Sequence, residues 1–385
     1  MTSRTRLIVL FVTAPVLAFA VIGGMLGKTL AQGESYPHLR VFGDVVSLIS
    51  SNYVEEADMT KVMRGAMRGL AEGLDPDSAY LTPEEARLHE SGTRPGPAET
   101  GIELTRTYYL RVIAVRDGSP AAKAGLRAGD FLRAIDGKPT REMSVYEGMR
   151  LLRGAPGTAV SLLVIRGNVA DPHTVNVTRE VPSGPDVTGR LEGGSVGYVR
   201  IAAFGPNAAK SVAAEAASLA KAGASSLVVD VRDAATGAYE SGIAVAKLFV
   251  SNGTLVHKEV RGAARQAVAA GSGDGSIKLP MAVLVNDGTS GAAELFATAV
   301  SGNQRATLVG ERTQGRAATQ KYIRLPDGAA MVVSNGWYLT PAGEPIHEKG
   351  LVPAVAVAAP DVEFGAPPPA NDVILQKGLE VAKSK

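Results

Sequence analysis

The pattern of apolar and polar positions changes character three times along the chain. The first stretch, Leu7–Gly27, carries no charge; Arg4 and Arg6 precede it and Lys28 follows. It is longer than the apolar region of a signal peptide, roughly 7–15 residues, and matches the about 20 residues that span a hydrocarbon core as a helix. Pro15 and Gly23-Gly24 are tolerated in such spans, and the two arginines favour an inside N-terminus with the body outside. Thr29 and Ala31 also suit cleavage after Ala31. Residues 1–33 are therefore expected to be a retained anchor or a cleaved signal, a buried soluble helix being the remaining reading.

Residues 34–92 read as helical. Leu39, Phe42, Val45, Val46, Ile49 and Tyr53 fall on one helical face, and Val62, Met63, Ala66, Met67, Leu70 and Leu74 on another. Leu74-Asp75-Pro76-Asp77-Ser78 stops the second helix, because Pro disfavours helix for the residue before it. Thr82-Pro83-Glu84-Glu85 then reads as an N-cap, a first-turn proline and acids at the positive end of the helix dipole. Thr93-Arg94-Pro95-Gly96-Pro97 is a linker. Short apolar runs at Gly101–Thr105, Tyr108–Val115, Phe131–Ile135 and Ala159–Ile165, broken by Gly and Pro, predict a β-rich domain over 93–182. From residue 183 to 360 apolar strands (Val196–Ile201, Ser226–Val231, Met281–Val285) alternate with Ala-rich helices (Ala208–Ala222, Ser241–Phe249, Gly291–Ser301). That alternation predicts an α/β core with parallel strands. The tail, 361–385, is extended around Ala366–Pro369 and ends in a short helix from Asp372. The fold class is α/β multidomain.

Composition narrows the chemistry. A net charge of +2 gives no reason to invoke nucleic acid. The absence of cysteine removes disulfides, thiolate metal sites and Cys nucleophiles together. His38 and His89 lack companions for a metal, and His173, His257 and His347 have no zinc-binding spacing. No metal or cofactor is expected, although a Ser/His/Asp triad assembled in space stays formally open.

Gly101-Ile102-Glu103-Leu104, Gly118–Leu126, Arg127–Leu132, Ile135-Asp136-Gly137 and Leu152–Thr158 together resemble the PDZ domain of bacterial proteases. The resemblance implies β-augmentation: an extended peptide pairs with an open sheet edge while backbone amides capture its terminal carboxylate. The capturing loop would be Thr100-Gly101-Ile102-Glu103, running into Leu104. Glycine at 101 allows the amides to turn toward an anion, whereas Glu103 would repel one. A PDZ fold that binds nothing is the plainer alternative.

Asn52-Tyr53-Val54, Leu74–Ser78, Gly197–Ile201, Val229-Asp230-Val231-Arg232, Val285-Asn286, Gly310-Glu311 and Leu339–Gly343 extend the likeness. Together they resemble the carboxyl-terminal processing (tail-specific) serine peptidases of family S41, which implies an S41-type, crotonase-like core. Those enzymes use a serine activated by a lysine that a glutamine positions. A hydroxyl is a weak nucleophile and needs a neighbouring base; lysine serves only when desolvation lowers its pKa.

At the family positions this chain departs. The nucleophile is the third residue of a run that reads Thr289-Ser290-Gly291-Ala292-Ala293-Glu294, so Gly291 stands in its place. The lysine stretch reads Thr313-Gln314-Gly315-Arg316-Ala317, so Arg316 replaces the base, while Gln320 is kept. Arginine stays protonated in proteins. The oxyanion turn reads Asp233-Ala234-Ala235-Thr236-Gly237, with Thr236 where a glycine is expected; Gly237 and Ala292 complete that region. The expectation is a pseudoprotease outside the cytoplasmic membrane that binds polypeptide C-termini or unstructured tails, pairing with an active homologue or with itself. An active endopeptidase using Ser290 in a shifted register, with Lys321 as amine, is the alternative, and an envelope scaffold is a third class. Thr289 and Ser290 otherwise suit capping of the helix that follows. Arg316 is also a candidate cation for a peptide carboxylate.

Overall fold

The protein is described here from a computed structural model covering residues 35–167, 171–367 and 369–384. The segment 7–27 lies outside the described residues. Among those described, no helix is long and apolar enough to cross a membrane. Two compact units divide at Met67 and Arg68. The first contains helix α1 (Ser35–Asn52) and the start of α2 (Met59–Glu72). On α1, Phe42, Val46 and Ile49 are half-buried, whereas Leu39 and Val45 of the same predicted face are exposed.

In the second unit the predicted helical segment is interrupted. Strand β1 (Ala79–Leu81) precedes α3 (Pro83–Ser91) and pairs antiparallel with residues 330–332. The cause is local: the Asp75 carboxylate accepts from the amides of Asp77 and Ser78 and from the Ser78 hydroxyl, closing a turn. The cap of α3 is as the sequence implies. Thr82 and Glu85 exchange side-chain-to-backbone hydrogen bonds, with Pro83 in the first turn.

The PDZ-type domain follows with β2 (Ile102–Arg106), β3 (Leu110–Val115), α4 (Pro120–Lys123), β4 (Phe131–Ile135), β5 (Lys138–Pro139), α5 (Val145–Leu151), β6 (Ala159–Ile165) and β7 (His173–Thr178). Its sheet runs β2-β3-β4-β6-β7, with β5 on β4. Among the described residues strand β2 pairs with β3 alone, which leaves its other edge unpaired. Leu104, Leu110, Val112, Leu132, Leu162 and Val164 form the centre of its apolar core.

The core comprises β8 (Val187–Glu192), β9 (Val196–Ile201), α6 (Ala208–Lys221), β10 (Ser226–Asp230), α7 (Tyr239–Lys247), β11 (Thr254–Val260), β12 (Gln266–Ala269), β13 (Met281–Val285), α8 (Ala292–Gly302), β14 (Ala306–Gly310), β15 (Ala318–Arg324), β16 (Ala330–Leu339), β17 (Val355–Ala356) and α9 (Val373–Lys383). The main sheet is ordered β17-β14-β13-β10-β9-β8, parallel except for β8. Because successive strands step in one direction, right-handed crossovers put α6, α7 and α8 on the same face. Alternation within strands shows the two faces directly: Met281, Val283 and Val285 join the core with those helices, while Ala282 and Leu284 pack with Ile374 and Ala382 of α9. Arg232 ties α9 down, reaching Asp230 at 2.6 Å and Asp372 at 2.8 Å. A second, antiparallel sheet, β1-β16-β11-β12 with β15 on β16, carries the segment that holds Arg316 and Gln320.

Candidate active site

Strand β13 ends at Val285, and the chain turns back into α8 through Asn286–Gly291. Asn286 links this turn to the one after β10. Its carbonyl oxygen accepts from the amides of Asp233 (2.9 Å) and Gly288 (3.1 Å), and its amide donates to Asp233 Oδ1 at 3.1 Å. Gly291 has φ 63° and ψ −117°, a backbone state that L-residues avoid. Such a sharp strand-to-helix turn is how hydrolases present a nucleophile. A Cβ at 291 would meet nothing nearer than Tyr239 Cε1 at 3.8 Å and the Arg316 carbonyl oxygen at 3.9 Å. The space for a side chain is therefore open.

Glu294, wholly buried, holds the two halves of the centre together. One carboxylate oxygen accepts from the Thr313 hydroxyl and the Gly315 amide at 2.5 and 2.6 Å; the other accepts from the amides of Gly291 and Arg316 at 3.0 and 2.8 Å. Burial pushes this carboxyl above its usual pKa, with the four donors acting in the opposite direction. Here the expected caps fail. Thr289 gives its hydroxyl to the Val231 carbonyl and accepts from the Asn286 backbone amide, and among the described residues the buried Ser290 hydroxyl has no partner. The first turn of α8 is served by Glu294, whose longer side chain folds back on the Gly291 amide.

Arg316 is not a free cation. Its Nε lies 2.9 Å from Asp77 Oδ1, and the Asp77 side chain is 8% exposed. Burial disfavours the guanidinium charge, but Asp77 first and then Glu103 raise its pKa above the ordinary value. Gln320 donates to the Asp77 carbonyl oxygen. The Tyr239 hydroxyl donates to the carbonyls of Arg316 and Ala318. Asp77, Tyr239, Lys258, Arg316, Gln320 and Tyr338 line a cavity of about 260 Å³. A second, of about 200 Å³, lies between Val145, Tyr146 and Met149 of α5 and Tyr80, Val332 and Arg316. Lys321 is exposed beyond Gln320, with a register shift between Thr319 and Gln320.

In the turn Asp233–Gly237, Gly237 has φ 134°, and a Cβ there would lie 2.3 Å from the Phe204 carbonyl oxygen. Only glycine fits that approach. Thr236 is exposed, and its hydroxyl lies 3.1 Å from Glu103 Oε1. Ala292 opens α8, where the first amides have no intrahelical acceptor.

Of the PDZ loop, Ile102 and Leu104 turn into the domain core. Thr100 is buried, its hydroxyl unpartnered among the described residues. Gly101 takes φ 83° and packs so closely that a Cβ would fall 2.3 Å from Ser119 Cβ. Glu103 alone leaves the domain, reaching the core. Arg111 to Asp287 (3.0 Å), Arg116 to Asp186 (2.8 Å) and Arg200 to Asp117 (2.7 Å) tie the same two surfaces together. The contacts missed in sequence are those of Asp77, Tyr239, Glu294 and Lys258. Asp77 and Glu294 lie inside motif runs, which signalled membership but not contact.

Asp233, in the turn beside Asn286, has φ 53°. Burial pushes its carboxyl up to about 6, opposed by the Asn286 hydrogen bond and reinforced by Asp287 and Asp230. A raised folded-state pKa makes proton binding favour the fold: the contribution is full below about pH 4 and lost as pH rises through about 6. Asp233→Asn should therefore unfold at higher urea than wild type at pH 8, by on the order of 1–2 kcal/mol, with the gap closing toward pH 4. A pH-independent difference would disprove this account.

Among the described residues, no group of three or more His, Asp or Glu could hold a metal ion. A family model, peptidase family S41, matches residues 195–357, and a PDZ domain model matches residues 111–166. The carboxyl-terminal-processing protease of Synechocystis sp. is 33% identical over 314 residues, covering 80% of this chain and 73% of that protein. The chain belongs to peptidase family S41. Within the family, the carboxy-terminal-processing protease of Bartonella bacilliformis is 29% identical, covering 92% of this chain and 83% of its own. A solved structure, a photosystem II D1 C-terminal processing protease, is similar with a TM-score of 0.69 and 27% identity, covering 84% of this chain and 95% of that one. The S41 core and PDZ domain expected from the sequence are thus both present.

Proposed function

We propose that this S41 chain is a pseudoprotease that holds polypeptide C-termini or unstructured tails without cleaving them. One observation carries the reading. Gly291 occupies a nucleophile-type turn with open space and no hydroxyl, and the group pinned beside it is an arginine paired to Asp77. Neither a nucleophile nor a neutral base is supplied. Ser290 does not fill the gap: its hydroxyl is buried and, among the described residues, no base is hydrogen-bonded to it. The free edge of β2 supports tail binding by strand addition, since it offers backbone donors and acceptors to an extended peptide. Arg4, Arg6 and the uncharged stretch 7–27 support an exported protein, anchored in or released from the cytoplasmic membrane.

The test uses the full chain in mild detergent with an unstructured, apolar-tailed protein, beside Ser290→Ala. Wild type is expected to leave the substrate intact while retaining it. Cleavage that disappears in Ser290→Ala would replace this reading with a relocated nucleophile.

A further inference from the structure

Gly291, Arg316 and Thr236 look in sequence like three separate losses. In the structure, two of the three are engaged by carboxylates. Asp77 holds Arg316 through Nε. Glu103, the side chain of the PDZ loop that leaves its domain, meets the hydroxyl of Thr236. An ionised carboxylate only accepts, so Thr236 donates. Arg316 is the largest opposing charge acting on Glu103, working against the desolvation that raises its pKa. Glu103 also sits on β2, the strand whose free edge an added peptide would follow.

We infer that Thr236, on the turn where the oxyanion donors are expected, is the donor of a carboxylate-binding site, filled here by Glu103 and opened to a polypeptide's terminal carboxylate by exchange. The inference rests on the tail-binding reading and names the group that is read. Exchange conserves charge: one carboxylate faces Thr236 before and after, and Arg316 keeps Asp77 throughout. It also conserves chemistry, because the hydroxyl of Thr236 donates to either acceptor. Glu103 competes from within the same chain, at a high effective concentration, so it weakens the apparent affinity for any free tail. The repulsion expected from an acid beside the capturing loop thereby becomes displacement: the acid leaves when the tail arrives.

The experiment measures fluorescence anisotropy of a labelled, apolar-ended peptide on the full chain. The peptide is used with a free carboxyl terminus and as its amide, on wild type, Glu103→Gln and Glu103→Gln/Thr236→Val. Neutralising Glu103 should tighten the free-carboxyl peptide about tenfold, the equivalent of one charge-assisted hydrogen bond. The amide should be unaffected, and the added Thr236→Val should erase the gain. Equal gains for both peptides, or no gain, would overturn the exchange while leaving tail binding standing. Failure of every variant to bind either peptide would sink both. Cleavage of the tail by wild type bears on the pseudoprotease reading alone.

Discussion

Serine at 291 combined with lysine at 316 should give a chain that cleaves an unstructured substrate, where either change alone stays silent. A Cβ at 291 has 3.8 Å of clearance, and Glu294 already fixes the amide of 316 against the Gly291 turn. Nucleophile and base act as a unit, so the double variant should exceed both single variants by on the order of 10³-fold in rate. A third change should matter as much. Asp77 sits where the new amine would arrive and would keep it protonated. The double variant should therefore work only at alkaline pH, and adding Asp77→Asn should move its profile toward neutrality. Glu103→Gln should move the profile in the same direction but less, since Asp77 is the larger of the two opposing charges. A triple variant that stays silent at every pH while remaining folded would mean that the centre has lost more than two side chains. An unshifted profile would remove Asp77 from the account.

Glu294 should prove as unforgiving a position as any in the core. Each of its oxygens takes two donors, three of the four being backbone amides that cannot turn elsewhere. Glu294→Ala leaves all four buried and unpaired, at a cost on the order of 4 kcal/mol. Glu294→Gln should be nearly as harmful despite its equal size. Either orientation of the amide sets an NH₂ group against two donors, so a loss of about 2–3 kcal/mol is expected. Urea unfolding followed by the fluorescence of Trp337, the one tryptophan, measures both. A glutamine variant within about 1 kcal/mol of wild type would show that the clamp is not holding the base loop.

The strands of the parallel sheet were legible because both of their faces are buried. Met281–Val285 is a continuous apolar run and Val196–Ile201 is one broken only by Arg200, and both stand where the sequence puts them. Strands β15 and β16 were not legible. Their sheet has a wet face, and Ala318–Arg324 reads as Ala-Thr-Gln-Lys-Tyr-Ile-Arg, with no run to notice. The same limit applied to the candidate site. The motif runs located Gly291, Arg316 and Thr236, but the partners of the latter two lie far away in sequence. Asp77 comes from the turn before β1, and Glu103 from the PDZ edge. Ser290 was misread for a related reason: local capping rules favour a hydroxyl beside a helix start, while the acceptor that wins sits one turn inside it.

The backbone at Gly291 has one more consequence. With φ at 63° and ψ at −117°, glycine rests there without penalty, whereas a side-chain-bearing residue would carry about 1–3 kcal/mol of strain. Set against a typical folding margin of about 5–15 kcal/mol, that is a sizeable fraction. A change from glycine to serine lowers stability at once and returns no hydroxyl chemistry until a usable base also stands at 316. The two changes are useful only together, so glycine at 291 is a resting point that is easy to keep and costly to leave.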